Sequence, residues 1–174
     1  MENKEVFKPE LVNPELAPKS SLDLSGITTT KEDKENFFKS FLADKPFTDA
    51  YSLMNGAFTV KFKTLTVTEN ADVLKQVVKD QDDGIAKNND GYFIQIMLYR
   101  LGVSVVEINN LPFLPTITKD SCKEENYVAV RAREFSNWPI YKLVGLQTVF
   151  RTFENKVLKL TNCLEEPDFW KANA

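Results

Sequence analysis

Histidine is missing from the chain altogether, and only two of its 174 residues are cysteines, Cys122 and Cys163. Without His the usual general base is gone, and with it the catalytic triads built around it. Two distant cysteines with no second Cys nearby cannot give zinc-type spacing, so they read as reduced, packed thiols. No GxxxxGK[ST] or GxGxxG loop is present to cradle a phosphate. No apolar run approaches the roughly 20 residues that span a bilayer, and the opening MENKEVFKPE has no apolar leader core. Charge of one sign is also lacking. Lys and Arg total 22 against 25 Asp and Glu, interspersed to a net -3, which argues against sequence-independent nucleic-acid binding. The expectation is a cytoplasmic, non-enzymatic protein that needs no cofactor and no metal and avoids nucleic acid and membranes.

Apolar material is plentiful. Hydrophobic residues make up 43% and Phe alone contributes 13, enough for a real core in one unit of this length. The predicted fold is mainly α with a small antiparallel β element (α+β): an extended N-terminal arm over residues 1–30, then a single, mainly helical domain over 31–174 with a β-hairpin near 51–66. Pro9, Pro14 and Pro18 among charged and Ser/Thr residues leave the arm without either period.

KEDKENFFKSFLAD, from Lys31, sets Phe37, Phe38, Phe41 and Leu42 on one side of a short charged helix that stops before Pro46, a docking helix or a lid. Asn55-Gly56 predicts a tight type I′ turn, because both residues tolerate positive φ. Phe58, Val60 and Phe62 then alternate with Thr59, Lys61 and Lys63, as in a half-exposed strand. Thr66 with Glu69 predicts a capping box, and Ala71, Leu74 and Val78 line the following helix to about Asp80. Asp82-Asp83-Gly84 breaks it. A second helix from about Asn89, apolar nearly all round, is closed by Gly102 and becomes the central core helix. VSVVEINN reads as a short strand ending in a turn, and LPFLPTITKD as a loop. Ser121 and Glu124 predict a second capping box, opening a helix to about Phe135 that exposes Arg131, Arg133 and Glu134 as a salt-bridged surface.

The last helix starts around Trp138-Pro139 and carries a seam of Leu143, Leu146, Phe150, Phe153, Val157, Leu160 and Leu164 at steps of three and four. Such a seam is first the core stripe of a terminal helix, with a coiled coil or partner groove as the alternative. Beyond it, Phe169 and Trp170 follow Pro167 and either fold back on the core or anchor a partner.

The acidic pairs Asp82-Asp83, Glu124-Glu125 and Glu165-Glu166 are neighbours in turns and caps, not carboxylates set across a cleft as hydrolysis requires. A calcium loop with Gly84 at its sixth place would begin at Lys79, which cannot coordinate a cation.

Taken in order, three pieces resemble the tail assembly chaperones of long-tailed bacteriophages and the related baseplate hub assembly chaperones. FTVKFKTLTVTENADVL is a strand flowing into a capped helix, and YFIQIMLYRLGVSVVEINN an apolar helix flowing into a strand. RAREFSNWPIYKLVGLQTVFRTFENKVLKL is an Arg-bearing helix joined to a long one, closed by EEPDFW. The resemblance covers about residues 55–170. It implies a small helical protein that binds a tape measure or baseplate hub protein in the host cytoplasm during virion assembly and shields its apolar helices, with self-association as a further contact. Phe37, Phe41, Leu143, Phe150, Phe153, Val157, Phe169 and Trp170 are then the candidate partner-binding residues. The alternative is a structural tail or baseplate subunit retained in the virion, its arm ordering on neighbours. A host-directed inhibitor mimicking nucleic acid would need a clustered acidic face, which the sequence lacks.

Overall fold

A computed structural model describes residues 26–85, 88–122 and 125–164. Within them the chain forms a mixed α+β fold of five α-helices and a four-stranded antiparallel sheet. The order is α1 (Lys31–Leu42), β1 (Thr48–Leu53), β2 (Phe58–Lys63), α2 (Val67–Asp82), α3 (Asn89–Ser104), β3 (Val105–Ile108), β4 (Leu111–Pro112), α4 (Tyr127–Arg133) and α5 (Ile140–Cys163). The strands lie side by side in sequence order, β1-β2-β3-β4. The proline-rich part of the arm and the aromatic pair Phe169-Trp170 lie outside the described residues.

Local chemistry sets most boundaries. Thr30 caps α1 reciprocally with Asp33, through hydrogen bonds of 2.8 and 3.1 Å. Thr66 and Glu69 form the expected box on α2, at 2.9 and 3.2 Å. Gly84, at φ 75°, ends α2 in a Schellman motif: Ile85 N donates to Asp80 O at 2.8 Å and Gly84 N to Gln81 O at 3.0 Å. Pro139 precedes α5, as expected.

Six expectations need correction. Asn55 and Gly56 do take positive φ, but so does Met54, and Leu53 pairs with Phe58, so the loop has four residues instead of two. The two-residue turn with both φ positive is at Asn109-Asn110, where Ile108 pairs with Leu111. That turn makes a strand of Leu111–Pro112, which the sequence reading leaves in a loop. On α2 the buried face is Val73, Gln76, Val77 and Asp80, while Ala71, Leu74 and Val78 face out. The helix carries two apolar stripes about 100° apart, and a polar cluster decides between them: Gln76 Nε2 donates to Asp80 Oδ1 at 2.9 Å, and the Tyr99 hydroxyl donates to Asp80 Oδ2.

Gly102 does not close α3, which continues to Ser104. It lies where α3 crosses α4, and a Cβ there would stand 3.1 Å from Ala132 N and 3.2 Å from Ala132 Cα. Ser121 caps no helix. It bonds back to Thr118 in a turn, and α4 starts later, at Tyr127, capped by Asn126.

Arg131 is the sixth correction. It is buried, and its guanidinium donates to five main-chain oxygens, those of Gly102, Val105, Phe113, Leu114 and Ile117, at 2.7 to 3.3 Å. The fork gathers the end of α3, the start of β3 and the following loop around α4. Arg133 does face solvent, paired with Glu125.

Two clusters form the interior. In the larger one the sheet lays Val60 and Phe62 against α5, with Phe37, Phe47, Leu101, Val105, Phe113, Phe135, Leu146, Phe150, Phe153 and Leu160. Its Phe rings touch in a chain, Phe62 lying 5.3 Å from Phe150 and 5.5 Å from Phe153, and Phe47 meeting both Phe37 and Phe153. The smaller cluster joins α2, α3 and α4 through Val73, Val77, Tyr99, Val103, Tyr127, Val128 and Ala132.

Lys156 on α5 ties the two other elements beside it. Its ammonium donates to Asp33 of α1 at 2.6 Å and to Asp49 of β1 at 2.8 Å, all three side chains largely buried. Burial disfavours the charge, but the two hydrogen bonds and the carboxylate charges outweigh it and raise the Lys156 pKa.

Candidate protein-binding groove

α5 buries one face on the sheet and leaves a flank open between α3 and the first turn of α2. A groove runs there. One lobe, of about 500 Å³, is walled by Val67, Leu65, Val157 and Leu158, with Phe150 and Phe153 beneath. A second lobe, of about 620 Å³, is walled by Phe93, Ile94, Ile96 and Met97 of α3. Phe150, Arg100 and Glu154 border both lobes, so the two are neighbours and the Arg100–Glu154 ion pair stands at the waist between them.

The lining is apolar because of where two helices begin. Val67 is the first residue of α2, ahead of the packed stripe, and stays 89% exposed. Phe93 and Ile94 sit in the first turns of α3, before that helix enters the interior at Tyr99, and remain 63% and 52% exposed. Leu158 faces the groove from α5 at 42%. Exposed side chains of this size, gathered on one flank, mark contact surface more than isolated ones do.

At the waist Arg100 Nη2 lies 2.7 Å from Glu154 Oε1. Burial raises the Glu154 pKa, and the charges of Arg100 and Arg151 counter it only in part. Arg100 Nε is buried without a hydrogen-bond partner among the described residues. Glu154 Oε1 beside it is likewise buried without a hydrogen-bond partner of good geometry, so the two groups are held as a charge pair and not by hydrogen bonds to the groove wall.

The groove collects only part of the predicted set. Phe150 and Phe153 are 1% and 2% exposed; they form its floor and present almost no side-chain surface to a partner. Val157 is half-buried and lines it. Leu143 packs half-buried against the core, and Phe37 is buried under α1. Phe41 is exposed, but α1 reaches α5 on the Lys156 side, away from the groove. The seam is thus the core stripe of a terminal helix. Sequence reasoning missed Val67, Phe93, Ile94, Leu158, Arg100 and Glu154. One signal for them is visible: Leu158 is an apolar residue on α5 that falls outside the seam.

Burial, with Glu69 and Asp72 nearby, pushes the Tyr127 hydroxyl up to about 12. Among the described residues no group of three His, Cys, Asp or Glu side chains could hold a metal ion, and no helix is long and apolar enough to cross a membrane. Comparisons with protein families, with curated proteins and with solved structures find no match for the chain.

Proposed function

We propose that this chain is a non-catalytic protein-binding protein, a phage tail or baseplate assembly chaperone that seats an apolar helix of a tape measure or hub protein in the α3–α5 groove. The observation that carries the binding class is the gathering of Val67, Phe93, Ile94 and Leu158 on one open flank of α5. A helix in such a groove presents apolar anchors at i, i+3, i+4 and i+7, the pattern a long helical client exposes before its own assembly partners cover it. The client class rests on the resemblance over residues 55–170 and places the activity in the host cytoplasm.

A second reading, a tail or baseplate subunit retained in the virion, draws on a separate exposed patch at the start of α5, Ile140, Tyr141 and Val144. Quantitative mass spectrometry of purified particles beside the producing lysate separates the two. Abundance in the lysate with absence from particles supports the chaperone; many copies per particle support the subunit. Co-expression with the tape measure or hub protein then tests the client directly, and a client that is equally soluble without this chain removes the proposal.

A further inference from the structure

The first turns of α2 present a different face, Thr68, Glu69 and Asp72, to a second cleft of about 490 Å³. Val103, Val106, Leu114 and Ile117 make its wall apolar, and Tyr127 and Arg131 reach it from α4. It is separate from the α3–α5 groove and does not depend on the client reading.

The charges around this cleft do not cancel. Three cations border it, Lys63, Lys119 and Arg131, against two carboxylates, Glu69 and Asp72. Both carboxylates are already neutralised: Glu69 pairs with Lys63, and Asp72 accepts from Lys119 at 2.8 Å. Arg131 is the remainder. Its N–H groups all bond main-chain oxygens, yet no acidic side chain pairs with it among the described residues. Carbonyl dipoles solvate a buried guanidinium without cancelling its charge, and beside an apolar wall that charge is felt more strongly than at the open surface.

Tyr127 supplies an unused donor. Its side chain is 8% exposed, but its hydroxyl bonds to nothing among the described residues, while the charges of Glu69, Asp72 and Arg131 all act on it. With its pKa pushed up to about 12 it keeps its proton at neutral pH and donates. Water satisfies such a hydroxyl; an anion also answers the surplus charge.

We propose that this cleft binds a small amphipathic carboxylate, a single acid group on an apolar body, with the acid at the Tyr127 hydroxyl and the body against Val106, Leu114 and Ile117. The volume lies in the range of small-molecule sites, roughly 300–1,000 Å³. A dianion exceeds the surplus of one positive charge, and a cation adds to it. An inorganic anion matches the charge but leaves the apolar wall uncovered.

The test is calorimetric titration of the full chain with octanoate, with phenylbutyrate and, as the uncharged control, with octanamide. Either acid is expected to saturate one site per chain and to bind about tenfold more tightly than octanamide. Octanoate ahead of phenylbutyrate points to an aliphatic source of the ligand, and the reverse order to an aromatic one.

Two variants locate the site. Tyr127→Phe removes a hydroxyl that bonds nothing in the fold, so it is expected to keep the urea midpoint and to weaken binding of the acids about five- to tenfold. Thr68→Glu places a third carboxylate at an exposed first-turn position where the helix N-terminus favours it, and is expected to abolish acid binding with the fold intact. No saturable binding of either acid at millimolar concentration overturns the proposal, as does octanamide binding equal to that of the acids. Acid binding that ignores both variants lies elsewhere on the molecule and overturns it as well.

Discussion

Arg131 Nε donates to the Gly102 carbonyl at 2.7 Å, across a helix crossing so close that no Cβ fits on Gly102 without displacing the Ala132 backbone. The guanidinium holds together what the glycine lets approach. Replacing Arg131 with Met keeps the apolar stem but strands main-chain oxygens in the interior, and is expected to cost about 3–5 kcal/mol. Arg131→Lys recovers less than half of that loss, because one ammonium cannot reach oxygens spread over α3, β3 and the following loop. Urea titrations of the two variants check both numbers; a small effect in Met would mean the fork is dispensable.

The glycines of two helices are expected to respond with opposite sign. Alanine is a better helix former than glycine by about 1 kcal/mol. At Gly145, where the new Cβ would meet only the end of the Leu53 side chain at 3.4 Å, Gly145→Ala gains most of that. At Gly102 the neighbour is backbone held in place by Arg131, and Gly102→Ala loses about 1–2 kcal/mol net. Thermal melts of the pair give the comparison.

The Lys156 node sets the response to pH. Burial alone would raise the Asp33 pKa, but hydrogen bonds from Lys156 and Thr30, together with the Lys156 charge, bring it below its ordinary value. A lowered carboxyl contributes stability that is complete above about pH 4 and is lost as pH falls through its folded value. Lys156 is raised, so its share is complete below about pH 10 and is lost above. Lys156→Met leaves Asp33 and Asp49 facing each other at a cost of about 3 kcal/mol at neutral pH. Its stability then rises as pH falls toward about 4, where the wild type weakens, because the unneutralised carboxyls take up protons. Denaturation midpoints across that range distinguish the two curves.

Floor and wall of the groove are expected to separate stability from binding. Phe150→Ala and Phe153→Ala remove buried rings from the larger cluster and cost about 3–5 kcal/mol each. Phe93→Ser and Ile94→Ser change exposed side chains, alter stability by less than about 0.5 kcal/mol and weaken client binding. A client whose affinity ignores both wall variants binds somewhere else on the molecule.

Fold class and most helices were legible in the sequence because their signals are local. The Thr66–Glu69 box, the Gly84 stop, the alternation of Phe58, Val60 and Phe62, and the seam of α5 all act within a few residues. What stayed hidden depends on partners distant in sequence. Val73 and Val77 face inward, instead of Leu74 and Val78, because Asp80 finds Tyr99, nineteen residues away. Arg131 looks like a surface charge until the oxygens that surround it are known. The groove was only half visible: its floor is the seam, but its walls come from the first turns of α2 and α3, and nothing local brings Val67 near Leu158.

One short stretch of α3 and β3 belongs to both interiors. Tyr99 and Val103 point into the helical cluster, while Leu101 and Val105 point into the one beneath the sheet. A segment with a foot in each cannot release one interior and keep the other. Heat or urea therefore takes both down in a single cooperative step, and the amides of 101–105 trade their hydrogens with solvent only when the whole molecule opens.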